Sequence, residues 1–212
     1  ALSDALSGLT GTSAILLGAI LGAMMGFDLG GPVNKVAYAF ATAGLAGAGA
    51  ASDSPELKIM AAVMAAGMVA PLAMALATTV RPKLFSEPER ENGKAAWLLG
   101  ASFISEGAIP FAAADPIRIM ASSVIGSAVT GALAMASSVV GSAITGALAM
   151  AFSVGIRAPH GGIWVLPIMG SVSQVVLFLL ALAIGVVVMA TIVIVLKSRD
   201  SKLAEVEAVA SV

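Results

Sequence analysis

Long runs of uncharged, apolar residues constrain this chain more than any other feature. Runs at residues 9–27, 59–80 and 172–196 are each long enough to cross a hydrocarbon core of roughly 30 Å. Backbone polar groups in hydrocarbon must bond to one another, and a helix achieves this within a single segment. Hydrophobic residues make up 59% of the chain and charged residues 11%. These observations predict an all-α polytopic membrane protein, surrounded by a lipid bilayer.

The composition also excludes several classes of function. The net charge of −1 gives no reason to expect nucleic acid as a partner, and the absence of cysteine excludes disulfides, thiolate metal sites and a cysteine nucleophile. Neither a phosphate-binding Gly-rich loop nor a metal cluster is found in the sequence, so no metal and no cofactor are expected.

The distribution of basic residues predicts the topology. They concentrate in the loop "RPKLFSEPERENGK" (81–94) and in the tail "KSRDSK" after Leu196, which the positive-inside bias places in the cytoplasm. Residues 95–196 must then cross the membrane an even number of times. The Gly/Pro-broken segments 103–118 and 157–167 are predicted to be two re-entrant hairpins, because irregular backbone at membrane depth needs protein or a watery cavity around it.

Two features concern helix packing. Gly18, Gly22 and Gly26 recur every four residues and form a face that lets another helix approach closely. A tandem repeat follows later, since "SSVIGSAVTGALAMA" (122–136) is succeeded at once by "SSVVGSAITGALAMA" (137–151). One helix through both copies would exceed the bilayer thickness, so a break is expected at 136–138, where two serines follow the first copy.

Glu106 is the first candidate functional residue. An ionisable group at membrane depth costs on the order of 2.5–3.5 kcal/mol, so it is normally paired or faces a cavity. Gly107 and Pro110 would free backbone groups beside it, giving a polar pocket for a hydroxylated ligand. The alternative is an interfacial position near the charged loop.

Three further polar stretches each allow a functional or a structural interpretation. His160, the single histidine, lies in "RAPHGGIWVLP", and its imidazole either serves a ligand hydroxyl or is structural. Asn34 and Lys35 either line a pathway, or Lys35 extends to the membrane interface. "DPIR" (115–118) is best interpreted as structural, with Asp115 beginning a helix at Pro116 and pairing with Arg118.

Four stretches in this order resemble one known family: "FDLGGPVNKVAYAF", "SEGAIPFAAADPIR", "GSAVTGALAM" and "APHGGIWVLP". They are similar to the membrane-embedded C subunit of the bacterial fructose-type sugar phosphotransferase system. The resemblance runs from about residue 9 to 196. It implies a multi-pass permease of the bacterial inner membrane that binds and translocates fructose or a related hexose, which a phosphorylated B subunit bearing phosphocysteine then phosphorylates.

The resemblance also implies roles for individual residues. Glu106 would be the catalytic and sugar-binding carboxylate, with His160 as second ligand and Asn34 and Gly161 completing the site. Family members carry further helices upstream, which form most of a homodimer interface. Residues 1–196 are therefore interpreted as the transport domain, a C-terminal half, and residues 197–212 as a polar cytoplasmic tail.

Two other classes of function remain open from the sequence. One is a non-transporting membrane scaffold or fragment, suggested by the missing upstream helices and the duplication. The other is an ion-coupled secondary transporter, a class that also uses broken helices near the membrane midplane.

Overall fold

The chain is helical throughout the part that the structure describes. The computed structural model describes residues 12–46, 54–143, 158–168 and 172–210, and none of them forms a β-strand. The α-helices are α1 (Thr12–Phe27), α2 (Pro32–Leu45), α3 (Pro55–Val80), α4 (Glu87–Ala101), α5 (Ile109–Ala114), α6 (Pro116–Ala143) and α7 (Val172–Ala210). Short 3-10 turns occupy Pro82–Leu84, Ser105–Ala108 and Gly162–Ile168. The predicted all-α class is confirmed.

Three helices are long and apolar enough to span a membrane. They are α3, α6 over Pro116–Ala136, and α7 over Gln174–Asp200. The described part of α1 is also apolar but has 16 residues, a length of about 24 Å. These helices agree with a polytopic membrane protein, and α6 supplies the additional crossing expected between the loop at 81–94 and the last helix.

Helix α3 lies at the centre of the fold. The rest of the chain buries 89% of its most apolar stretch, compared with 39% for α7. It packs against α1, α4, α6 and α7. Lipid-facing surface therefore lies mainly on the outer helices, where α7 exposes large side chains such as Val176, Leu180 and Val187.

Helices α1 and α6 pack antiparallel through the predicted glycine face. Gly18 lies against Gly131, Gly22 against Ser127 and Gly26 against Ser123. A methyl group on Gly26 would lie 2.5 Å from the Ser123 carbonyl oxygen, so the two backbones are in direct contact. The prediction of a close helix contact on this face is confirmed.

The predicted break between the two repeat copies is wrong. Helix α6 runs without interruption from Pro116 to Ala143, which carries it through the boundary at 136–138 and into the second copy. The physical reason lies in the first copy, where the same serine pair, Ser122 and Ser123, is fully buried in the interior of α6. Two adjacent serines are thus compatible with an unbroken helix. Residues 144–151 of the second copy lie outside the described residues.

Helices α4 and α5 form the first re-entrant hairpin. Helix α4 has 15 residues, about 22 Å, which is too short to cross the bilayer. The chain then turns at 102–108, and α5 leads back. Glu89, near the start of α4, and Asp115, just after α5, line the same cavity, so the hairpin begins and ends at one end of the bundle. This agrees with the prediction for the first broken segment.

Ion pairs hold the base of this hairpin to α7. Lys197 Nζ lies 2.9 Å from Glu89 Oε1, and Arg118 pairs with both Asp115, at 2.8 Å, and Asp200. The predicted loop at 81–94 ends at Ser86, because the residues from Glu87 onward form α4. This segment and the end of α7 are therefore on the same side, as predicted. The Asp115–Arg118 pair also confirms the structural interpretation of "DPIR".

The second broken segment is described from residue 158 to 168, as a bend followed by a 3-10 turn. Helix α7 then continues past Lys197 to Ala210 without interruption, so the polar tail extends the last spanning helix.

Candidate functional site

A cavity of about 290 Å³ lies where three irregular segments meet: the α1–α2 turn, the tip of the first hairpin, and the bend of the second broken segment. Its lining residues are Met25, Gly30, Asn34, Lys35, Tyr38, Phe103, Ser105, Glu106 and His160. Glu106, His160 and Asn34, which the sequence analysis assigned to one site, thus face one space.

The α1–α2 turn is held by Asp28. Its carboxylate accepts hydrogen bonds from the backbone N–H groups of Val33, at 2.7 Å, and Asn34, at 2.9 Å, which are otherwise unsatisfied at the start of α2. The negative charge is also favourable at that helix N-terminus. Asn34 donates through Nδ2 to the Met25 carbonyl at 2.7 Å and is buried. Its amide ties α2 to α1, and its carbonyl oxygen remains available to a ligand.

The tip of the first hairpin is anchored to α3. Ser105 is buried and donates from Oγ to the Gly67 carbonyl at 2.8 Å. Phe103 has a φ of 64°, a left-handed conformation that non-glycine residues rarely adopt. Its ring packs on Gly67 and lies 6.0 Å, centroid to centroid, from that of Tyr38. The strained turn thereby places an aromatic pair in the wall of the cavity.

Glu106 presents its carboxylate to the cavity. Its side chain is exposed, and among the described residues it makes neither a hydrogen bond nor an ion pair. The carboxylate lies directly over Gly30. Because a carboxylate accepts hydrogen bonds only, this group is arranged to receive donors from a ligand or from water.

His160 reaches the cavity through two glycines. Gly161 and Gly162 have φ values of 118° and 60°, which glycine adopts without strain. Gly162 packs against the Ala101 carbonyl, and Trp164 Nε1 donates to Ser102 Oγ at 3.0 Å. These contacts dock the second broken segment onto the end of α4, and His160 is exposed there beside the first hairpin's tip.

The structure separates the predicted residues into two groups. Glu106, His160 and Asn34 line the cavity, whereas Gly161 lies in the turn behind His160. Of the lining residues that were not assigned to the site, Lys35 had two open interpretations from the sequence: lining a pathway or extending to the membrane interface. Tyr38, Phe103 and Ser105 had no distinguishing sequence pattern, because tertiary contacts alone bring them together.

The chemistry of this cavity suits a small polyhydroxylated ligand. It offers a carboxylate, an imidazole, an ammonium group and an amide, with two aromatic rings in the wall. Such a mixture of few polar groups and apolar surface is typical of ligand sites. Among the described residues, no group of three or more His, Asp or Glu side chains could hold a metal ion.

Comparison with curated proteins finds relatives that are named as fructose-specific components of the phosphotransferase system or as a fructose permease. The fructose-specific EIIB'BC component of the phosphotransferase system from Vibrio cholerae is 47% identical over 191 residues, which cover 87% of this chain and 29% of that protein. The fructose-specific EIIC component from Haloferax volcanii is 44% identical over 195 residues, covering 92% of this chain and 45% of the relative. The fructose permease IIC component from Bacillus amyloliquefaciens is 42% identical over 183 residues, 86% of this chain and 52% of the relative.

This chain spans less than a third of the Vibrio protein and about half of the Bacillus permease. No family model and no solved structure matches it.

Proposed function

Because this chain belongs to the family of fructose-specific membrane components of the phosphotransferase system, we propose that it forms the sugar-binding, translocating part of such a permease. The observation that carries the proposal is the cavity shared by Glu106, His160 and Asn34. Fructose, or a related hexose, would occupy it, with the aromatic pair Tyr38 and Phe103 lying along its apolar faces.

Glu106 is the residue proposed to act on the sugar. Its carboxylate accepts hydrogen bonds from sugar hydroxyls and, as a general base, draws the proton from the hydroxyl that is to be phosphorylated. His160 supplies one donor and one acceptor in its neutral form and contacts a neighbouring hydroxyl. Asn34 offers its carbonyl oxygen from α2.

The phosphoryl group comes from another protein or domain. The relatives named EIIB'BC and EIIABC join the C component to a B component, and this chain contains no cysteine that could carry phosphate. In the proposed step, the sugar oxygen forms a bond to phosphorus as the bond from phosphorus to the B component breaks. The hydroxyl proton passes to Glu106.

Lys35 completes the electrostatics of this step. It lines the same cavity, and it makes no ion pair among the described residues. Phosphoryl transfer is accelerated chiefly by positioning and by cations that stabilise charge on the phosphoryl oxygens. We assign that role to Lys35.

The proposal also assigns an orientation in the membrane and an oligomeric state. The hairpin base, with the basic residues of 81–94, faces the cytoplasm of a bacterium, where a B component would be encountered. The chain lies in the cytoplasmic membrane and acts as part of a homodimer, as the family resemblance implies.

Fructose binding to the purified chain tests the proposal. Calorimetric titration should give saturable binding that Glu106→Gln removes and Glu91→Gln preserves. Glu91 is a suitable control because it is exposed and pairs with Lys94 at 2.7 Å within α4, outside the sugar cavity. If the wild-type chain does not bind fructose, the non-transporting class is favoured. If the wild-type chain and Glu106→Gln bind fructose equally, Glu106 is not a sugar ligand.

A further inference from the structure

A second cavity, of about 340 Å³, lies at the end of α3 and shares no residue with the sugar cavity. It is lined by Val80, Arg81, Pro82, Lys83, Leu84 and Ser198. Neither the proposed transport role nor the phosphoryl transfer step uses any of these residues.

The cavity lies at the boundary between apolar and polar chain. Val80 is the last residue of the spanning helix α3, and Ser198 lies two residues before the end of the apolar span of α7. Two membrane helices thus leave the hydrocarbon layer at this point, which puts the cavity at the depth of the lipid headgroups. Val80 is 55% exposed and offers an apolar surface on the bilayer side.

The charge of the cavity is positive and uncompensated. Arg81 and Lys83 are both exposed, and neither has an ion-pair partner among the described residues. Lys197, by contrast, pairs with Glu89, and its Nζ lies 4.6 Å from the centroid of the Phe85 ring. An anion entering this cavity therefore meets two positive charges that no carboxylate of the described residues neutralises.

The backbone that carries these two cations is ordered. Arg81 N–H donates to the Ala77 carbonyl at 2.9 Å, and Leu84 N–H donates to the Arg81 carbonyl at 3.1 Å. Pro82, between the two basic residues, restricts the backbone further. Binding an anion would then cost little backbone entropy.

We propose that this cavity binds the phosphate headgroup of an anionic phospholipid. Arg81 and Lys83 contact the phosphate, and the acyl chains begin beside Val80, which is exposed at the end of the otherwise enclosed α3. Basic cavities between membrane helices on the cytoplasmic side have the chemistry for this class of ligand. A bound lipid would fix the junction between α3 and the base of the first hairpin.

Lipid retention measured by native mass spectrometry tests the proposal. The purified chain is titrated with phosphatidylglycerol and, separately, with phosphatidylcholine of the same acyl chains. Each surface cation raises the affinity for an anionic lipid about fivefold. The double variant Arg81→Gln/Lys83→Gln should therefore bind phosphatidylglycerol about 25-fold more weakly than wild type does. Its affinity for phosphatidylcholine should be unchanged.

The matched control is Arg90→Gln/Lys94→Gln, which removes the same charge from the neighbouring first half of α4, outside the cavity. Equal weakening by both double variants would show general surface attraction and overturn the site. So would displacement of the lipid by millimolar inorganic phosphate, which would make it a free-phosphate site. Wild-type lipid binding in Arg81→Gln/Lys83→Gln, together with lost phosphorylation by a B component, would assign the cavity to protein docking instead. Circular dichroism should show unchanged helix content in both variants.

Discussion

The α-carbon of Gly30 lies directly beneath the carboxylate of Glu106. A methyl group added to Gly30 would come within 2.5 Å of Glu106 Oε1, and the backbone φ at Gly30 is 101°. Two independent physical reasons thus require glycine here: the left-handed conformation and the lack of space. The α1–α2 turn and the first hairpin are in contact at the group that is proposed to bind sugar.

Gly30→Ala should therefore disturb the site. Backbone strain of about 1–3 kcal/mol, added to displacement of the Glu106 carboxylate, predicts at least a tenfold loss of fructose affinity. Calorimetric titration measures it. The control is Gly44→Ala in α2, whose new methyl group would meet Glu56 Cγ at an ordinary 3.5 Å and should leave affinity unchanged. Wild-type affinity in Gly30→Ala would contradict the described geometry.

Lys35→Met should separate binding from phosphoryl transfer. If Lys35 stabilises the transferring phosphoryl group, sugar affinity should change only a few-fold, while the rate of phosphorylation falls by about 10²–10³. Phosphorylation by a B component in proteoliposomes gives the rate, and titration gives the affinity. Lys35→Arg, which keeps the charge, should recover part of the rate. Parallel losses of affinity and rate would instead make Lys35 a sugar ligand.

Gly22→Ala should destabilise the α1–α6 contact. The added methyl group would overlap the Ser127 carbonyl group, so the two helices must separate. Overpacking of this kind costs about 1–3 kcal/mol. Thermal unfolding in detergent should show a lower transition temperature than wild type. Gly44→Ala again serves as control, since replacing a helical glycine without a clash should be neutral or stabilising.

The Glu89–Lys197 pair should make stability depend on pH. Burial alone would raise the pKa of Glu89, but hydrogen bonds from Lys197 and from the Ser86 backbone and hydroxyl outweigh it and lower the pKa below its usual 4.5. A lowered folded-state pKa means that the stabilisation is present above pH 4.5 and is lost as pH falls through the folded-state value.

Glu89→Gln should remove this acid dependence and cost about 2 kcal/mol near neutral pH, the range for hydrogen bonds to charged groups. Unfolding curves between pH 3 and pH 7 are the measurement. Glu91→Gln, at an exposed pair, should cost less than about 1 kcal/mol. An unchanged acid profile in Glu89→Gln would assign the pH dependence to other groups.

Cysteine labelling tests the orientation of the bundle. Cysteines placed at Glu87 and Ser201 should both resist an impermeant reagent added outside intact cells, since both segments are expected in the cytoplasm. Glu87 is preferable to Ser86, whose hydroxyl belongs to the capping box of α4. Labelling of either position from outside would reverse the topology.

The sequence predicted the ionisable residues of the site, but not the aromatic residues that line it. Gly/Pro breaks and isolated ionisable groups marked Glu106 and His160, because irregular backbone and charge are both costly in hydrocarbon and are kept there for a reason. Phe103 and Tyr38 could not be found in this way. An aromatic residue in an apolar chain has no distinguishing cost, and the left-handed φ of Phe103 arises from tertiary contacts.

The continuity of α6 shows where local rules fail. Serines can bend a helix by bonding to the preceding turn, and bilayer thickness argued for a bend after Ala136. Ser127 instead donates to the Ala66 carbonyl on α3 at 2.9 Å, so in this bundle a serine of α6 bonds to a neighbouring helix. Thr130 does bond back to the Gly126 carbonyl at 3.1 Å, and α6 is unbroken there, so a bond to the preceding turn is not enough to break this helix.

The burial of α3 has a consequence for the synthesis of the chain. Its most apolar stretch is 89% enclosed by protein, and much of the enclosure comes from α6 and α7. When α3 leaves the ribosome, the start of α7 at Val172 is still about 90 residues away, which at roughly 5–20 residues per second is on the order of ten seconds. During that interval α3 must be solvated by lipid or held by the insertion machinery.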